Sequence, residues 1–398
     1  MKISEERIKD MQNIALLGAT GSIGRSALAV AALHPDRYRI HSIAGGSRVA
    51  ELVEIAKNVH PKHVVIADES KYGDLRQALA DAGLKDVEAH AGAAAVRSLA
   101  EDPEADAVLQ AIVGAAGVAP TFAAAKAGKR LMLANKESVV CGGALLMKTM
   151  AENGAELLPV DSEHSAVFQC LVAADEKMKK AARIILTASG GPFRGRRDLS
   201  GITPEMAVKH PRWSMGRKIS VDSATLMNKG LEIIEASWLF GFPEDRIDVL
   251  VHPESIIHSM VEFADGAVMA ELGTPDMKTP IAVAMSWPER IASGTERLNL
   301  AKLGKLTFEA PDTETFPLLK LARESLRKGG IASIVMNAAN EVAVAAFLER
   351  KLSFTGIFDV VTAMTRGFEA PAPASAEEML AVDAEARRRT AEFMAKRR

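Results

Sequence analysis

The stretch Asn13-Ile14-Ala15-Leu16-Leu17-Gly18-Ala19-Thr20-Gly21-Ser22-Ile23-Gly24 decides the fold of this chain. A short apolar run, a glycine-rich turn and a helical pattern over residues 25–33 follow one another, which is the context that a dinucleotide-binding fingerprint requires. Glycines at 18, 21 and 24 allow a tight turn and close backbone approach to a pyrophosphate resting on the helix N-terminus. Because the spacing is Gly-x-x-Gly-x-x-Gly rather than Gly-x-Gly-x-x-Gly, a glycine-rich turn that binds no ligand remains an alternative.

Strand and helix patterns continue to alternate beyond this stretch. Apolar strand candidates lie at residues 38–44, 63–67, 107–113, 131–134 and 156–160, with helical patterns between them. Such alternation is typical of a mostly parallel sheet with helices on both faces. We therefore predict an α/β chain whose N-terminal domain, residues 11–160, is a doubly wound, Rossmann-like fold.

The residues after the second strand bear on the choice of cofactor. An NAD site would place Asp or Glu there, but the sequence reads Gly45-Gly46-Ser47-Arg48. A hydroxyl and a guanidinium suit a 2′-phosphate, so we predict NADPH. The alternative is that Arg48 is a solvated residue in the first turn of the next helix.

The composition restricts the class of protein. The 398 residues carry a net charge of -2 and no basic bias, which argues against a nucleic-acid partner. No apolar run approaches the ~20 residues of a membrane span. Residues 1–10 are charged and are expected to form a flexible extension. The two cysteines, Cys141 and Cys170, have no metal-ligand spacing, so we expect a reducing compartment, the cytoplasm.

The sequence Asp161-Ser162-Glu163-His164 follows the strand candidate at 156–160. In an α/β sheet, ligands bind at the carboxyl ends of strands, so these polar side chains are candidates for a binding site. The alternative is a helix start, with Asp161 or Ser162 as N-cap and Glu163 favoured by the helix dipole. Lys136, in Asn135-Lys136-Glu137 after another strand, is equally a solvated charge or a site residue.

The pattern changes after residue 160. We predict a central α+β catalytic and dimerisation domain at residues 161–290, and its irregular, glycine- and arginine-rich stretch 189–217 has the composition of a lid, or of a mobile surface loop. Alternating strands over 247–272 turn at Asp265-Gly266, and an apolar face left over on their sheet would suit a homodimer. A linker, 291–310, and a C-terminal helical bundle, 311–398, complete the chain.

A second polar group is predicted on a helix beginning near Ala224. There Asn228 and Glu232 share one face, Lys229 is their neighbour, and Ser223 is placed at the helix start. Asp161, Glu163 and Glu232 would give three carboxylates without a cysteine, which suits a hard divalent ion, Mg²⁺ or Mn²⁺. A set of hydroxyl, amide, imidazole and ammonium groups can bind a phosphate: Ser189, His210, Ser223, Asn228 and Lys229.

Six motifs in chain order carry a resemblance to a known family. They are Gly-Ala-Thr-Gly-Ser-Ile-Gly, Ala-Asn-Lys-Glu-Ser, Val-Asp-Ser-Glu-His, Thr-Ala-Ser-Gly-Gly-Pro-Phe, His-Pro-Arg-Trp-Ser-Met-Gly-Arg-Lys-Ile and Met-Asn-Lys-Gly-Leu-Glu. Together they resemble the 1-deoxy-D-xylulose 5-phosphate reductoisomerase family. The resemblance implies an NADPH- and metal-dependent enzyme that forms 2-C-methyl-D-erythritol 4-phosphate in isoprenoid synthesis, a phosphorylated sugar as substrate, and a homodimer.

The resemblance also implies roles for individual positions. The metal ligands would be Asp161, Glu163 and Glu232, with Lys136, Glu163, His210 and Trp213 at the reacting centre. Substrate contacts would be Ser162, Ser189, His210, Ser223, Asn228 and Lys229. Cofactor contacts would be Thr20, Gly21, Ser22, Ile23, Gly46, Ser47, Arg48, Asn135, Lys136, Glu137 and Gly216. The chain departs from the family pattern at Ser47-Arg48 and at Arg212, which leaves the hold on the 2′-phosphate and lid closure as the open points.

Two other function classes remain to be weighed. An aspartate-semialdehyde-type dehydrogenase has a similar glycine-rich turn but needs a cysteine nucleophile with a base beside it. Cys141 and Cys170 lie in apolar helical patterns instead. An NADP-sensing binding protein would have no use for three convergent carboxylates or for a lid with His210 and Trp213.

Overall fold

A computed structural model describes residues 11–213 and 215–396. The predicted extension, residues 1–10, lies outside the described residues. The strands are β1 Gln12–Leu17, β2 Tyr38–Gly45, β3 His63–Ile66, β4 Glu88–Ala91, β5 Ala107–Gln110, β6 Arg130–Leu133, β7 Glu156–Pro159, β8 Arg183–Ala188, β9 Ile247–Val251, β10 Ile257–Glu262 and β11 Val268–Leu272.

The helices are bounded as follows, in chain order. They are α1 Ser22–Ala32, α2 Val49–Val59, α3 Tyr72–Asp81, α4 Gly92–Glu101, α5 Val118–Lys126, α6 Lys136–Glu152, α7 Ser162–Leu171, α8 Glu176–Ala181, α9 Pro204–Ala207, α10 Arg217–Ala224, α11 Met227–Phe240, α12 Lys278–Ser286, α13 Leu300–Leu303, α14 Leu318–Lys328, α15 Ala332–Leu348, α16 Phe354–Gly367 and α17 Ala376–Ala395. Among the described residues, no helix has both the length and the apolar character needed to cross a membrane.

The first of two compact units carries a seven-stranded sheet. Its described residues are 11–135, 148–160 and 277–295. The strand order is β4-β3-β2-β1-β5-β6-β7, and every neighbouring pair is parallel. The order reverses direction after β1, which is the topology of a doubly wound fold and places a ligand-binding crevice at the carboxyl ends of the strands. The Rossmann-like α/β prediction is therefore confirmed.

The second unit combines a four-stranded sheet with the C-terminal helices. Its described residues are 136–147, 161–213, 215–276 and 296–396. The sheet has the order β11-β10-β8-β9, in which β10 is antiparallel to both neighbours and β8 is parallel to β9. Asp265 and Gly266 form the predicted turn between β10 and β11. Ser375 is the N-cap of the last helix, α17, and its hydroxyl accepts from the Glu378 N–H at 3.1 Å.

The compact units differ from the predicted domains. Residues 277–295 lie in the first unit, because α12 packs against α1, β6 and β7. The helices predicted as a separate domain at 311–398 share one hydrophobic core with β8, β9 and α11, a core that runs from Val140 to Ala386. The C-terminal helices follow one another in the sequence, but in the structure they pack in the same core as the four-stranded sheet.

One helix boundary in the predicted site was wrong. The structure has two helices where we predicted one beginning near Ala224: α10 ends at Ala224, and α11 begins at Met227. The break occurs because Leu226 adopts the left-handed conformation, with φ of 59°. Ser223 consequently lies in the last turn of α10 instead of at the start of the helix that carries Asn228 and Glu232.

Candidate active site

The turn between β7 and α7 begins the candidate site. Asp161 is the N-cap of α7, and its Oδ1 accepts from the Glu163 N–H at 3.3 Å. The Ser162 hydroxyl donates to Glu163 Oε2 at 2.6 Å. The N-cap interpretation is therefore correct, but the capping hydrogen bond uses only one carboxylate oxygen of Asp161.

A third carboxylate arrives from α11. Glu232 is fully buried, and one carboxylate oxygen from each of Asp161, Glu163 and Glu232 lies within 4.8 Å of the others. We call these three residues the carboxylate cluster. Three like charges at this separation, one of them without solvent, repel one another strongly unless cations lie between them.

Two lysines supply that compensation. Lys136 Nζ lies 2.9 Å from Asp161 Oδ2 and 3.5 Å from Glu232 Oε1, and it donates to Asn228 Oδ1 at 2.8 Å. Lys229 Nζ lies 3.1 Å from Glu163 Oε1 and also contacts Glu232. The predicted carboxylates, the Asn228 amide and the two lysines thus contact one another in one polar group of the second unit.

The pKa values show how this group is balanced. Burial opposes the charged form of Lys136, but Asp161, Glu232 and Glu235 raise its pKa well above the ordinary value. Burial and the charge of Glu163 raise the pKa of Glu232 to about 7. Both lysines are therefore charged at neutral pH, while Glu232 binds a proton or a cation readily.

Behind the cluster lies a buried pair that sequence reasoning did not assign. His164 Nδ1 is 3.3 Å from Asp161 Oδ1 and 3.2 Å from Glu235 Oε2, and its Nε2–H donates to the Glu232 carbonyl at 3.0 Å. Burial would lower the pKa of His164, but Glu235 and Asp161 raise it to about 9. The imidazolium thereby holds Asp161 in place. Glu235 could have been found from the sequence, because it follows Glu232 by three positions on the same helix.

Ser189 and His210 meet at the predicted phosphate-binding end. His210 Nδ1 accepts from the backbone N–H of Arg212 at 3.2 Å and of Trp213 at 2.9 Å, so the proton is on Nε2, which donates to Ser189 Oγ at 2.8 Å. Burial lowers the pKa of His210 to about 4. The ring is therefore neutral at neutral pH and serves as a hydrogen-bond donor.

Gly191 brings this loop against Ser223. Its φ is +70°, and a Cβ added there would lie 2.7 Å from the Ser223 carbonyl oxygen. Glycine alone permits both the conformation and the close approach. Trp213, on the same loop, has its ring 6.0 Å from that of His258. Ser214 is not described, so the lid at 189–217 stays a prediction.

The glycine-rich turn lies in the first unit, between β1 and α1. Gly18 has a φ of +90°, and a Cβ there would lie 2.5 Å from the Ala111 carbonyl oxygen. Gly21 is the N-cap of α1 and makes no side-chain capping bond. Arg48 donates to the Thr20 carbonyl at 2.6 Å and to Glu51 at 2.7 Å. Arg48 thus lies beside the turn, as the 2′-phosphate hypothesis requires.

The remaining predicted cofactor residues lie next to the first residues of α6 and α10. Asn135 Nδ2, in the first unit, donates to the carbonyls of Ile112 at 2.7 Å and Gly114 at 3.0 Å. Glu137, in the second unit, accepts from Lys218 at 2.7 Å. Gly216 is the N-cap of α10. Glu137 therefore has a structural ion pair in addition to any role at the cofactor.

Comparison with known proteins identifies relatives along nearly the whole chain. Residues 14–143 match the family model described as 1-deoxy-D-xylulose 5-phosphate reductoisomerase, residues 157–240 match its C-terminal domain, and residues 272–389 match the DXP reductoisomerase C-terminal domain. The reductoisomerase of Xanthomonas campestris pv. campestris (strain B100) is 54% identical over 387 residues, which is 97% of each chain. That of Aromatoleum aromaticum is 52% identical over 382 residues, 95% of this chain and 94% of the relative.

Solved structures give the same result. A DOX-P reductoisomerase in complex with NADPH, fosmidomycin and magnesium is similar with a TM-score of 0.92 and 45% identity, over 97% of this chain and 98% of the other. The Zymomonas mobilis enzyme in complex with NADPH has a TM-score of 0.89 and 46% identity, over 96% and 99%.

Proposed function

The chain belongs to the 1-deoxy-D-xylulose 5-phosphate reductoisomerase family, and we propose that Asp161, Glu163 and Glu232 hold the divalent ion of its reaction. The chain is an NADP-dependent oxidoreductase that isomerises and reduces 1-deoxy-D-xylulose 5-phosphate to 2-C-methyl-D-erythritol 4-phosphate, in non-mevalonate isoprenoid biosynthesis. The observation that carries the site assignment is the convergence of three carboxylate oxygens within 4.8 Å.

The carboxylate cluster suits the ion present in the related structures, magnesium. All three ligand groups are oxygen donors, which hard ions such as Mg²⁺ and Mn²⁺ prefer. When bound, such an ion polarises a substrate carbonyl and the neighbouring hydroxyl. The ammonium groups of Lys136 and Lys229 contact the same carboxylates, which places both lysines next to the substrate oxygens that such an ion would hold.

The substrate phosphate would be bound by polar groups next to the carboxylate cluster and on the loop that carries Ser189 and His210. Lys229 supplies a permanent positive charge, because Glu163 and Glu232 raise its pKa against the effect of burial. Neutral His210 and Ser189 supply hydrogen bonds from the loop, with Ser223 and Asn228 from α10 and the start of α11. Ser162 is proposed as a further substrate contact, since its hydroxyl lies beside Glu163.

Lys136 and Trp213 are proposed for the reacting centre. Lys136 is buried and stays protonated at neutral pH, so it acts as a donor to an oxygen on which negative charge develops and not as a base. Trp213 would cover the reacting carbon and exclude water when the lid closes. Glu163 and His210 are the other two residues proposed for the reacting centre. NADPH would lie on Thr20, Gly21, Ser22 and Ile23, with its 2′-phosphate at Gly46, Ser47 and Arg48 and its other contacts at Asn135, Lys136, Glu137 and Gly216.

A cysteine-dependent dehydrogenase is disfavoured by the state of both thiols. Cys141 is buried in α6, and burial raises its pKa well above the ordinary value. Burial also raises the pKa of Cys170 to about 11. Because only the thiolate is an effective nucleophile, neither residue suits the covalent chemistry of the aspartate-semialdehyde class.

A homodimer and a cytoplasmic location remain proposals, as does the functional division into residues 11–160, 161–290 and 311–398. The homodimer is supported by the edge strand β11, which exposes Val268, Met269 and Leu272. An apolar edge of this kind is usually covered in the native assembly.

The function is tested by following NADPH oxidation with purified protein and 1-deoxy-D-xylulose 5-phosphate. Turnover is expected only with Mg²⁺ or Mn²⁺ present, and excess EDTA should abolish it. NADPH binding, measured by fluorescence, should persist in EDTA, because the glycine-rich turn and the carboxylate cluster lie in different units. Unchanged turnover in EDTA would rule out the metal assignment.

A further inference from the structure

We propose that His63, Glu88 and His90 form a second metal site, in the first unit, for a transition-metal ion of the Zn²⁺ class. His63 is the first residue of β3, and Glu88 and His90 lie on β4, the edge strand of the seven-stranded sheet. We call these residues the histidine site. It has no residue in common with the carboxylate cluster of the second unit.

The strand register brings the three side chains together. His63 pairs with Glu88 across the parallel ladder, and Val65 pairs with His90. Glu88 and His90 are two positions apart on β4, so their side chains share one face of the sheet. His63, at the start of β3, projects from that same face, because paired residues on neighbouring strands point in the same direction.

The ligand atoms have the spacing of a tetrahedral site. His63 Nδ1 is 3.4 Å from Glu88 Oε2 and 3.4 Å from His90 Nε2, and His90 Nε2 is 3.6 Å from Glu88 Oε2. A tetrahedral ion with bonds of about 2.1 Å has ligand atoms about 3.4 Å apart. The three atoms therefore form one face of a coordination tetrahedron with little rearrangement.

The donor set indicates the kind of ion. Two imidazole nitrogens and one carboxylate oxygen suit borderline ions such as Zn²⁺, whereas Mg²⁺ and Mn²⁺ prefer oxygen alone. Three protein ligands leave the fourth position for water. Glu88 and His90 are 57% and 43% exposed at their side chains, so an ion can enter from solvent.

The surroundings of His63 support ligation. Burial lowers the pKa of its imidazole, so the ring is neutral at neutral pH and has a lone pair to offer. Its other nitrogen, Nε2, lies 4.0 Å from Asp102 Oδ2, and His41 Nε2 lies 3.0 Å from the same oxygen. Asp102 is too far from His63 for a hydrogen bond, but its negative charge near the imidazole favours a bound cation.

Zinc titration of the purified full-length protein tests the proposal. Excess Mg²⁺ is kept present to occupy the carboxylate cluster, and bound Zn²⁺ is measured by calorimetry and by metal analysis after gel filtration. We expect about one Zn²⁺ per chain and an X-ray absorption spectrum with two imidazoles. Binding should also raise the melting temperature, because the ion joins edge strand β4 to β3.

Two variants and a matched control complete the experiment. His90→Ala and Glu88→Gln should each weaken Zn²⁺ binding at least tenfold, and circular dichroism should confirm that both remain folded. His60→Asn removes another exposed histidine of the same unit and should bind Zn²⁺ like the parent. Zinc binding that is absent from the parent, or unchanged in both His90→Ala and Glu88→Gln, would overturn the proposal.

Discussion

Lys229 has two possible roles, balancing the buried carboxylates and binding the substrate phosphate, and an experiment can separate them. Its Nζ contacts Glu163 and Glu232, and we propose that it also binds the substrate phosphate. Lys229→Ala should raise the KM for 1-deoxy-D-xylulose 5-phosphate about 10- to 100-fold, since a charged hydrogen bond contributes about 1.5–3 kcal/mol. Steady-state kinetics at saturating Mg²⁺ measure this.

The metal dependence of the same variant gives an internal check. Removing the ammonium group removes a competitor for two carboxylates, so the Mg²⁺ concentration for half-maximal activity should not increase. Lys177→Ala, at an exposed lysine of α8, serves as the control. An unchanged KM in Lys229→Ala would mean that this lysine only balances the buried carboxylates.

Glu235 is a positioning residue that acts through His164. Glu235→Gln removes the charge that raises the pKa of His164, so the imidazolium should hold Asp161 less firmly. We expect Mg²⁺ affinity to fall on the order of 10–100-fold, as for other residues that orient metal ligands. Activity measured against Mg²⁺ concentration should show the shift, with kcat largely recovered at saturation.

A purely structural role for Glu235 would give a different result. The melting temperature of Glu235→Gln would then fall, while the Mg²⁺ concentration for half-maximal activity would equal that of the parent. Glu176→Gln, at a carboxylate exposed on α8, controls for the loss of a negative charge from the same unit and should change neither quantity.

Some residues of the candidate site could be predicted from the sequence, and others could not. Asp161, Glu163 and Glu232 were predicted because oxygen ligands follow a strand end and recur on one helix face, and their oxygens do converge. Glu235 could be placed near Glu232 from its spacing, but the lysine contacts and the pairing of Glu235 with His164 could not be predicted, because they depend on how α6, α7 and α11 approach one another. The neutral state of His210 depends on burial by a loop, which no local pattern encodes.

At the scale of elements, the β1–α1 turn depends on Gly18. Gly18→Ala places a Cβ 2.5 Å from the Ala111 carbonyl oxygen in a left-handed conformation, so both strain and overpacking oppose it. We expect a loss of at least about 2 kcal/mol in the free energy of unfolding. Urea denaturation followed by circular dichroism measures this, and the NADPH dissociation constant should rise at least tenfold.

The matched change is Gly73→Ala, at an exposed position near the start of α3. A Cβ there meets nothing within 4 Å, and φ is not left-handed. Because alanine is the better helix former, stability should be unchanged or higher by up to about 1 kcal/mol. Equal effects of the two substitutions would contradict the steric account of Gly18.

Elements with strong periodicity were predicted, and elements set by tertiary contacts were not. The strands β1 and β2 were predicted within one or two residues of their observed bounds. Strand β4, Glu-Ala-His-Ala, was missed because it is short, polar and at the sheet edge. The left-handed Leu226 that separates α10 from α11 was missed because leucine carries no turn signal.

At the scale of the whole molecule, the edge strand β11 bears on assembly. It lies at one end of the four-stranded sheet, with Val268 50% and Met269 54% exposed. A polar edge strand disfavours pairing with a second chain, whereas an apolar edge strand promotes aggregation unless another chain covers it. A two-fold axis at this edge would let β11 of each chain cover the other, which is the self-complementary contact of a homodimer.

The homodimer is tested by Met269→Lys. A charge placed in an apolar interface between two copies loses its hydration, so the variant should sediment as a monomer at concentrations where the parent is a dimer. Sedimentation velocity at several concentrations measures this. Met178→Lys, the same change at an exposed methionine of α8, should leave the parent's sedimentation coefficient unchanged. If Met269→Lys and the parent sediment alike as dimers, β11 is not the interface, because a buried lysine at its centre could not be accommodated without a measurable loss of affinity.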